Sequence, residues 1–166
     1  MFDLHETSSI KFGTDGWRAI IGDQFTFENV RNIGFGIGRW IQENSSGDGS
    51  VLIGYDTRFL SSEFAEVLAN TFIGMRIPVV MSKDFLPTPA LAWSVSRLGA
   101  TAGVMVTASH NPAIYNGIKV RLSSGSAAQV SDTDLILRLQ EKSLGQGLNQ
   151  YVVNTDSEHL LSREDF

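Results

Sequence analysis

Between residues 50 and 122, short apolar runs alternate with segments whose apolar residues recur at helical spacing, and few folds accommodate such a pattern. Ser50-Val51-Leu52-Ile53-Gly54-Tyr55 ends in Asp56-Thr57-Arg58 and suits a buried strand. Ser62 reads as the N-cap of a helix over residues 63–74, with Glu63 in its first turn and Phe64, Val67, Leu68 and Phe72 at helical spacing. Ile77-Pro78-Val79-Val80-Met81 is a second apolar run, which Pro78 places near a sheet edge or at the start of a strand. Thr88 as N-cap, Pro89 at the first helical position and Gly99 as the stop delimit a helix with Leu91, Val95 and Leu98 on one face. Ala102–Thr107 reads as a third buried strand, and Ile118-Lys119-Val120-Arg121-Leu122 alternates as a half-exposed one. Strands and helices in alternation, joined by crossovers, predict an α/β layer fold, which we expect as a single three-layer α/β/α domain around a mixed, mostly parallel sheet.

The flanks extend this pattern. Ile10-Lys11-Phe12 and Trp17-Arg18-Ala19-Ile20-Ile21 flank Gly13-Thr14-Asp15-Gly16 as a β-turn-β unit, and Thr26 caps an amphipathic helix carrying Val30, Ile33, Ile37 and Ile41. Gly34, Gly36 and Gly38 fall inside that helix with no strand leading into them, so they indicate close helix packing rather than a dinucleotide loop. Ser131, with Asp134 three residues on, opens a last helix bearing Leu135 and Leu139. Beyond Gly145-Gln146-Gly147 the chain is polar and weakly periodic. Residues 1–145 are therefore expected to form one domain, and 146–166 a linker or the truncated start of a second. A length of 166 residues agrees, at roughly 100–200 residues per domain.

Composition narrows the function. Thirteen Lys and Arg against eighteen Asp and Glu give a net charge of −5, so binding to nucleic acid or membrane driven by bulk positive charge is not expected. The chain has no cysteine, which excludes disulfides, thiolate catalysis and cysteine-ligated metal sites. The N-terminal residues are acidic where a secretory signal would be basic. The longest stretch without Asp, Glu, Lys or Arg, residues 98–118, contains Ser109, His110, Asn111, Pro112 and Asn116 and is no membrane helix. A cytoplasmic globular protein is the expectation.

That uncharged stretch holds the candidate site. Thr107-Ala108-Ser109-His110-Asn111-Pro112 and Tyr115-Asn116-Gly117-Ile118-Lys119 put small polar groups at the carboxyl end of a buried strand, where open α/β sheets bind ligands. If the strands at 103–107 and 118–122 are neighbours, the loop brings Ser109 and Lys119 to one edge. From Thr107 to Arg121 there are two cations and no carboxylate, which suits an anion such as phosphate. A serine hydrolase is disfavoured, because neighbouring Ser and His point to opposite faces of an extended chain and the glycines of a nucleophile elbow are missing. No labelling of Ser109 by an organophosphonate is expected.

These residues carry a resemblance. Thr107–Pro112 with Tyr115–Lys119 resembles the phosphoserine loop of the α-D-phosphohexomutase superfamily, the phosphoglucomutases and phosphomannomutases. Phe12-Gly13-Thr14-Asp15-Gly16-Trp17-Arg18, Gly54-Tyr55-Asp56-Thr57-Arg58 and Pro87-Thr88-Pro89 resemble further family segments in the same order. The resemblance covers only the first of the family's four domains. It implies that Ser109 carries a phosphoryl group to and from a phosphosugar through a hexose 1,6-bisphosphate. It also implies that Mg²⁺ binds the Ser109 phosphate together with aspartates absent from this chain. Lys119 matches a lysine that exchanges a proton or offsets charge, His110 the histidine beside the serine, and Arg18 an active-site arginine; Thr14 and Asn111 are expected to organise the loop and, with Arg18, to bind substrate. The missing C-terminal domains of a parent enzyme become the implied partners, and the fragment alone is expected to be inactive. A non-catalytic phosphosugar-binding or interaction module is the alternative, since the loop could hold an anion without turnover.

Overall fold

A computed structural model of the chain describes residues 10–13, 15–44, 49–145 and 161–166. Along the chain these residues form β1 (Trp17–Ile20), α1 (Phe27–Asn44), β2 (Val51–Tyr55), α2 (Ser61–Gly74), β3 (Val79–Ser82), α3 (Thr88–Leu98), β4 (Ala102–Val106), β5 (Tyr115–Leu122), α4 (Val130–Gly145) and β6 (Leu161–Glu164). The strands make one sheet in the order β1-β5-β4-β2-β3-β6. β2 runs parallel to β3 and β4, and β3 parallel to β6, whereas β5 is antiparallel to both β4 and β1. The sheet is mixed and mostly parallel, as the sequence pattern predicts.

From β2 the chain crosses through α2 to β3, then returns through α3 to β4 on the far side of β2. Right-handed crossovers in opposite directions place their helices on opposite faces. The core agrees: Val51, Ile53, Val104 and Val106 pack with Phe64, Leu68 and Phe72 of α2, whereas Leu52 and Met105 pack with Leu91 and Val95 of α3. Three layers result. β2 and β4 are covered on both sides, which is why their sequences read as unbroken apolar runs. The reversal of direction at β2 opens a crevice beyond the carboxyl ends of β2 and β4.

The Thr26 hydroxyl accepts the Asn29 backbone N–H at 3.2 Å and opens α1 as expected. Gly36 lies in the middle of α1, and a Cβ there would stand 2.5 Å from the Ile136 carbonyl oxygen and 2.8 Å from Gln140 Cβ, both on α4. Close helix packing, not nucleotide binding, explains the glycine. Gly36→Ala should therefore cost about 1–3 kcal/mol, because a backbone carbonyl must move. A lowered urea midpoint checks this; an unchanged midpoint would show that α1 and α4 have room to part.

Several boundaries differ from expectation. β3 begins one residue after Pro78 and lies between β2 and β6, so the proline marks the start of the strand and not the sheet edge. The edge is taken by Leu161–Glu164, in the stretch that reads as weakly periodic; residues 146–160 lie outside the described set. Ile10–Phe12 form no strand, and the turn after them is closed by Gly13 N–H donating to Gly16 O at 2.8 Å. Ser62 does not cap α2: the helix starts at Ser61 behind Leu60, whose left-handed φ of 59° turns the chain, and the Ser62 hydroxyl bonds Glu63 instead. α3 includes Thr88 as its first residue, preceded by Pro87, and ends at Gly99 in the left-handed conformation with φ 72°, the expected stop. α4 starts ahead of Ser131, where the Asp132 carboxylate accepts the Gln129 N–H at 2.8 Å. Finally, β5 is buried rather than half-exposed: Lys119 and Arg121 are 5% and 8% accessible, because Asp15 is paired with both. No helix among the described residues is long and apolar enough to cross a membrane.

Candidate active site

The loop from β4 to β5 runs past the carboxyl end of β2. Ser109, at its exposed tip, has φ 57°, a left-handed conformation that costs a non-glycine residue roughly 1–3 kcal/mol and persists only where surroundings impose it. Two charged networks supply those surroundings.

The first is anchored on the residues that follow β2. Asp56 Oδ2 accepts the Thr107 hydroxyl at 2.5 Å, and Thr107 Oγ1 in turn accepts the Ser109 backbone N–H at 2.9 Å. Asp56 Oδ1 accepts the Ser61 hydroxyl at 2.8 Å and the Arg58 backbone N–H at 3.0 Å. The Arg58 guanidinium donates to the carbonyls of Ser109 (2.8 Å), Asn111 (2.7 Å), Pro112 (2.9 Å) and Tyr115 (3.0 Å), and its Nε faces Asp56 Oδ2 at 3.3 Å. At the foot of the loop, the buried Asn116 side chain donates to Ser61 Oγ at 2.9 Å and accepts the Gly117 N–H through its Oδ1.

The second network lies on the β1 side. Asp15 spans two cations, with Oδ2 2.5 Å from Lys119 Nζ and Oδ1 3.0 Å from Arg121 Nη1. Beside it Arg18, from β1, donates to the Asn111 side-chain oxygen at 3.0 Å. Burial is the largest single influence on Asp15 and pushes its carboxyl up, but the hydrogen bonds and charges of Lys119 and Arg121 together outweigh it and hold the group below 3.8. A carboxyl depressed on folding contributes stability above its unfolded value, and that contribution is lost as pH falls through the folded one. Acid titration should accordingly show a loss of stability below pH 3.8 that Asp15→Asn removes. Identical acid-unfolding curves for the two proteins would show that the pair contributes nothing. Arg58 is thus paired with Asp56, and Lys119 and Arg121 with Asp15, while Arg18 bonds the neutral Asn111 side chain, so these groups set four cations against two carboxylates.

Of the residues singled out from sequence, the fold joins Arg18 directly to Asn111 and sets Ser109 and His110 together at the exposed tip. Lys119 sits on the adjoining strand, engaged by Asp15, and shares no hydrogen bond with Ser109 among the described residues. Nor does His110 share a hydrogen bond with Ser109 there, so no Ser-His dyad forms. Thr14 lies outside the described residues. From sequence, Asp15, Asp56, Arg58 and Thr107 stand inside the motifs named above and Arg121 at the end of the cationic stretch, but none has a role of its own. Asp56-Thr57-Arg58 closing an apolar strand was the available signal, and its force depends on β2 lying next to β4. Among the described residues no three His, Asp or Glu side chains come together to hold a metal ion.

Residues 9–145 match the family model described as phosphoglucomutase/phosphomannomutase, alpha/beta/alpha domain I. A phosphoglucomutase of Staphylococcus aureus (strain MRSA252) is 36% identical over 141 residues, covering 81% of this chain and 25% of its own length. The chain thus spans a quarter of the length of such curated relatives. Among solved structures, a Thermus thermophilus protein described as a phosphomannomutase is 39% identical with a TM-score of 0.76, over 80% of this chain and 30% of its own. A phosphoglucomutase/phosphomannomutase family protein from Burkholderia thailandensis is 25% identical with a TM-score of 0.70, over 95% of this chain and 33% of its own.

Proposed function

Because the chain belongs to the phosphoglucomutase/phosphomannomutase family, whose α/β/α domain I it matches, we propose that it supplies the phosphoserine of an enzyme interconverting hexose 1-phosphates and hexose 6-phosphates. The observation that carries this reading is Ser109, exposed and left-handed at the strand-order reversal, on a loop gripped from both sides by cationic networks.

In the proposed reaction a hydroxyl oxygen of the sugar phosphate attacks the phosphorus on Ser109. An O–P bond to the sugar forms, the P–Oγ bond breaks, and the hydroxyl proton ends on the serine oxygen. The hexose 1,6-bisphosphate then turns over and returns its other phosphoryl group to Ser109 by the reverse exchange. Such transfer depends on alignment and on neutralising charge over the phosphoryl oxygens. The planar fork of Arg18 suits those oxygens, and its partner Asn111 keeps it at the loop. Ion-paired to a carboxylate held ionised, Lys119 is assigned to offsetting negative charge. His110, exposed beside Ser109, is placed among the groups that meet substrate.

Magnesium, which the family resemblance implies, would offset further charge on the transferring group. The described residues of this chain do not form a carboxylate cluster for it, so a bound ion would draw its carboxylates from the rest of a longer protein. Selection of the hexose is likewise assigned to regions beyond this chain.

Intact-mass measurement of the full-length protein tests the reading. A fraction of molecules should carry one phosphoryl group, mapped to Ser109 and removed by incubation with sugar phosphate. Protein that stays unphosphorylated after exposure to a hexose bisphosphate, yet binds it, would establish the binding module instead.

A further inference from the structure

We propose that Arg58 is a positioning residue that holds Ser109 in its left-handed conformation, an inference that rests on Ser109 being the phosphoryl carrier. A guanidinium has five N–H donors and no acceptor. Around Arg58 stand five protein oxygens: the carbonyls of Ser109, Asn111, Pro112 and Tyr115, and the Asp56 carboxylate. All four Nη–H donors are engaged and Nε lies 3.3 Å from the Asp56 carboxylate, so the fork is turned to the loop and not to a substrate phosphate. Among the described residues Arg18, by contrast, shows one side-chain bond, to Asn111. The four carbonyls are distributed along the whole loop, so one planar group sets its path.

Ser109 is pinned at both ends of its backbone. Its carbonyl accepts from Arg58, and its N–H donates to Thr107 Oγ1, which is itself bonded to Asp56. Asp56 faces Arg58 as well, so both restraints converge on one carboxylate. With N–H and C=O fixed, the left-handed φ of 57° is imposed and the hydroxyl is left at the exposed tip. Arg58 therefore acts on chemistry only through the aim of Ser109. A lysine cannot replace it, because an ammonium offers three donors without the planar fork.

The test compares wild type, Arg58→Ala and Arg58→Lys in the full-length protein, reading kcat, KM and the backbone coupling constant of Ser109 by NMR. Guanidinium or ammonium is added to each at sub-denaturing concentration. Arg58→Ala should lower kcat about 10²-fold, the scale of a small misalignment, with KM little changed. Ser109 should leave the left-handed region in the same sample. Guanidinium should restore both readouts, ammonium neither, and Arg58→Lys should remain defective. A wild-type kcat in Arg58→Ala, a defect confined to KM, or a Ser109 that stays left-handed would each overturn the proposal. Should Arg58→Ala lose its cooperative thermal transition, Arg58→Lys decides: normal kcat with a left-handed Ser109 overturns it. If the wild type itself neither turns over nor takes up phosphate, the mutase reading fails, and the Ser109 coupling constant still decides whether Arg58 holds the loop.

Discussion

Ser109→Ala in the full-length protein should reduce hexose-phosphate interconversion to the detection limit while leaving stability almost unchanged. The hydroxyl is exposed, and the bonds that hold the loop use the backbone N–H and carbonyl of Ser109, which alanine retains. Alanine and serine both meet the left-handed conformation with a Cβ, so the strain is common to the two proteins. A surface change of this kind usually shifts stability by no more than about 0.5 kcal/mol. Turnover is another matter, because without Oγ there is no atom to carry the phosphoryl group between the two positions of the sugar. Assays from both directions and a melting curve check the result together. Normal turnover by the alanine variant would remove Ser109 from the reaction altogether.

Lys119→Ala should follow, with kcat lower by about 10²–10³-fold, the range seen when one preorganised donor to developing charge is removed. Lys119 is 5% accessible and pairs with Asp15, so its charge acts where water screens it poorly. Asp15 keeps Arg121 in the variant, which limits the structural damage. Asp15→Asn is the matching control: it removes the carboxylate and leaves the ammonium. A loss confined to KM would make Lys119 an anchor for the substrate and not a group that acts on the transfer.

The α/β layering was legible in the sequence because β2 and β4 are covered on both faces, and such strands can be built only from continuous apolar runs. Helix starts were less legible. Left-handed Leu60 and the carboxylate of Asp132 perform turns that serine was expected to make, and neither shows in hydrophobic periodicity. β6 was invisible because it joins the sheet through its backbone, beside β3, with mostly polar side chains. At the site, the types of residue in the loop were enough to mark the segment between β4 and β5 as the candidate, and the fold sets Ser109 and His110 together at its exposed tip. The burial of Lys119 was not deducible, since its partner Asp15 lies 104 residues away and meets it only once β1 pairs with β5. The role of Arg58 was not deducible for the same reason: its carbonyl partners are 51 to 57 residues distant, and only the adjacency of β2 and β4 brings them within reach.

The place of β1 at the end of the sheet has a consequence for biosynthesis. β3 and β4 can each dock on β2 as soon as they are made, but β1 pairs with β5, and Arg18 reaches Asn111 across 93 residues of chain. At roughly 5–20 residues per second on the ribosome, the first strand waits for several seconds with Trp17 and Ala19 unburied. The Asp15 bridge to Lys119 and Arg121 closes only after β5 has left the exit tunnel. A nascent chain stalled before Leu122 therefore exposes an apolar strand to chaperones, and the cationic cradle around Ser109 comes into being as one of the last events of this domain's translation.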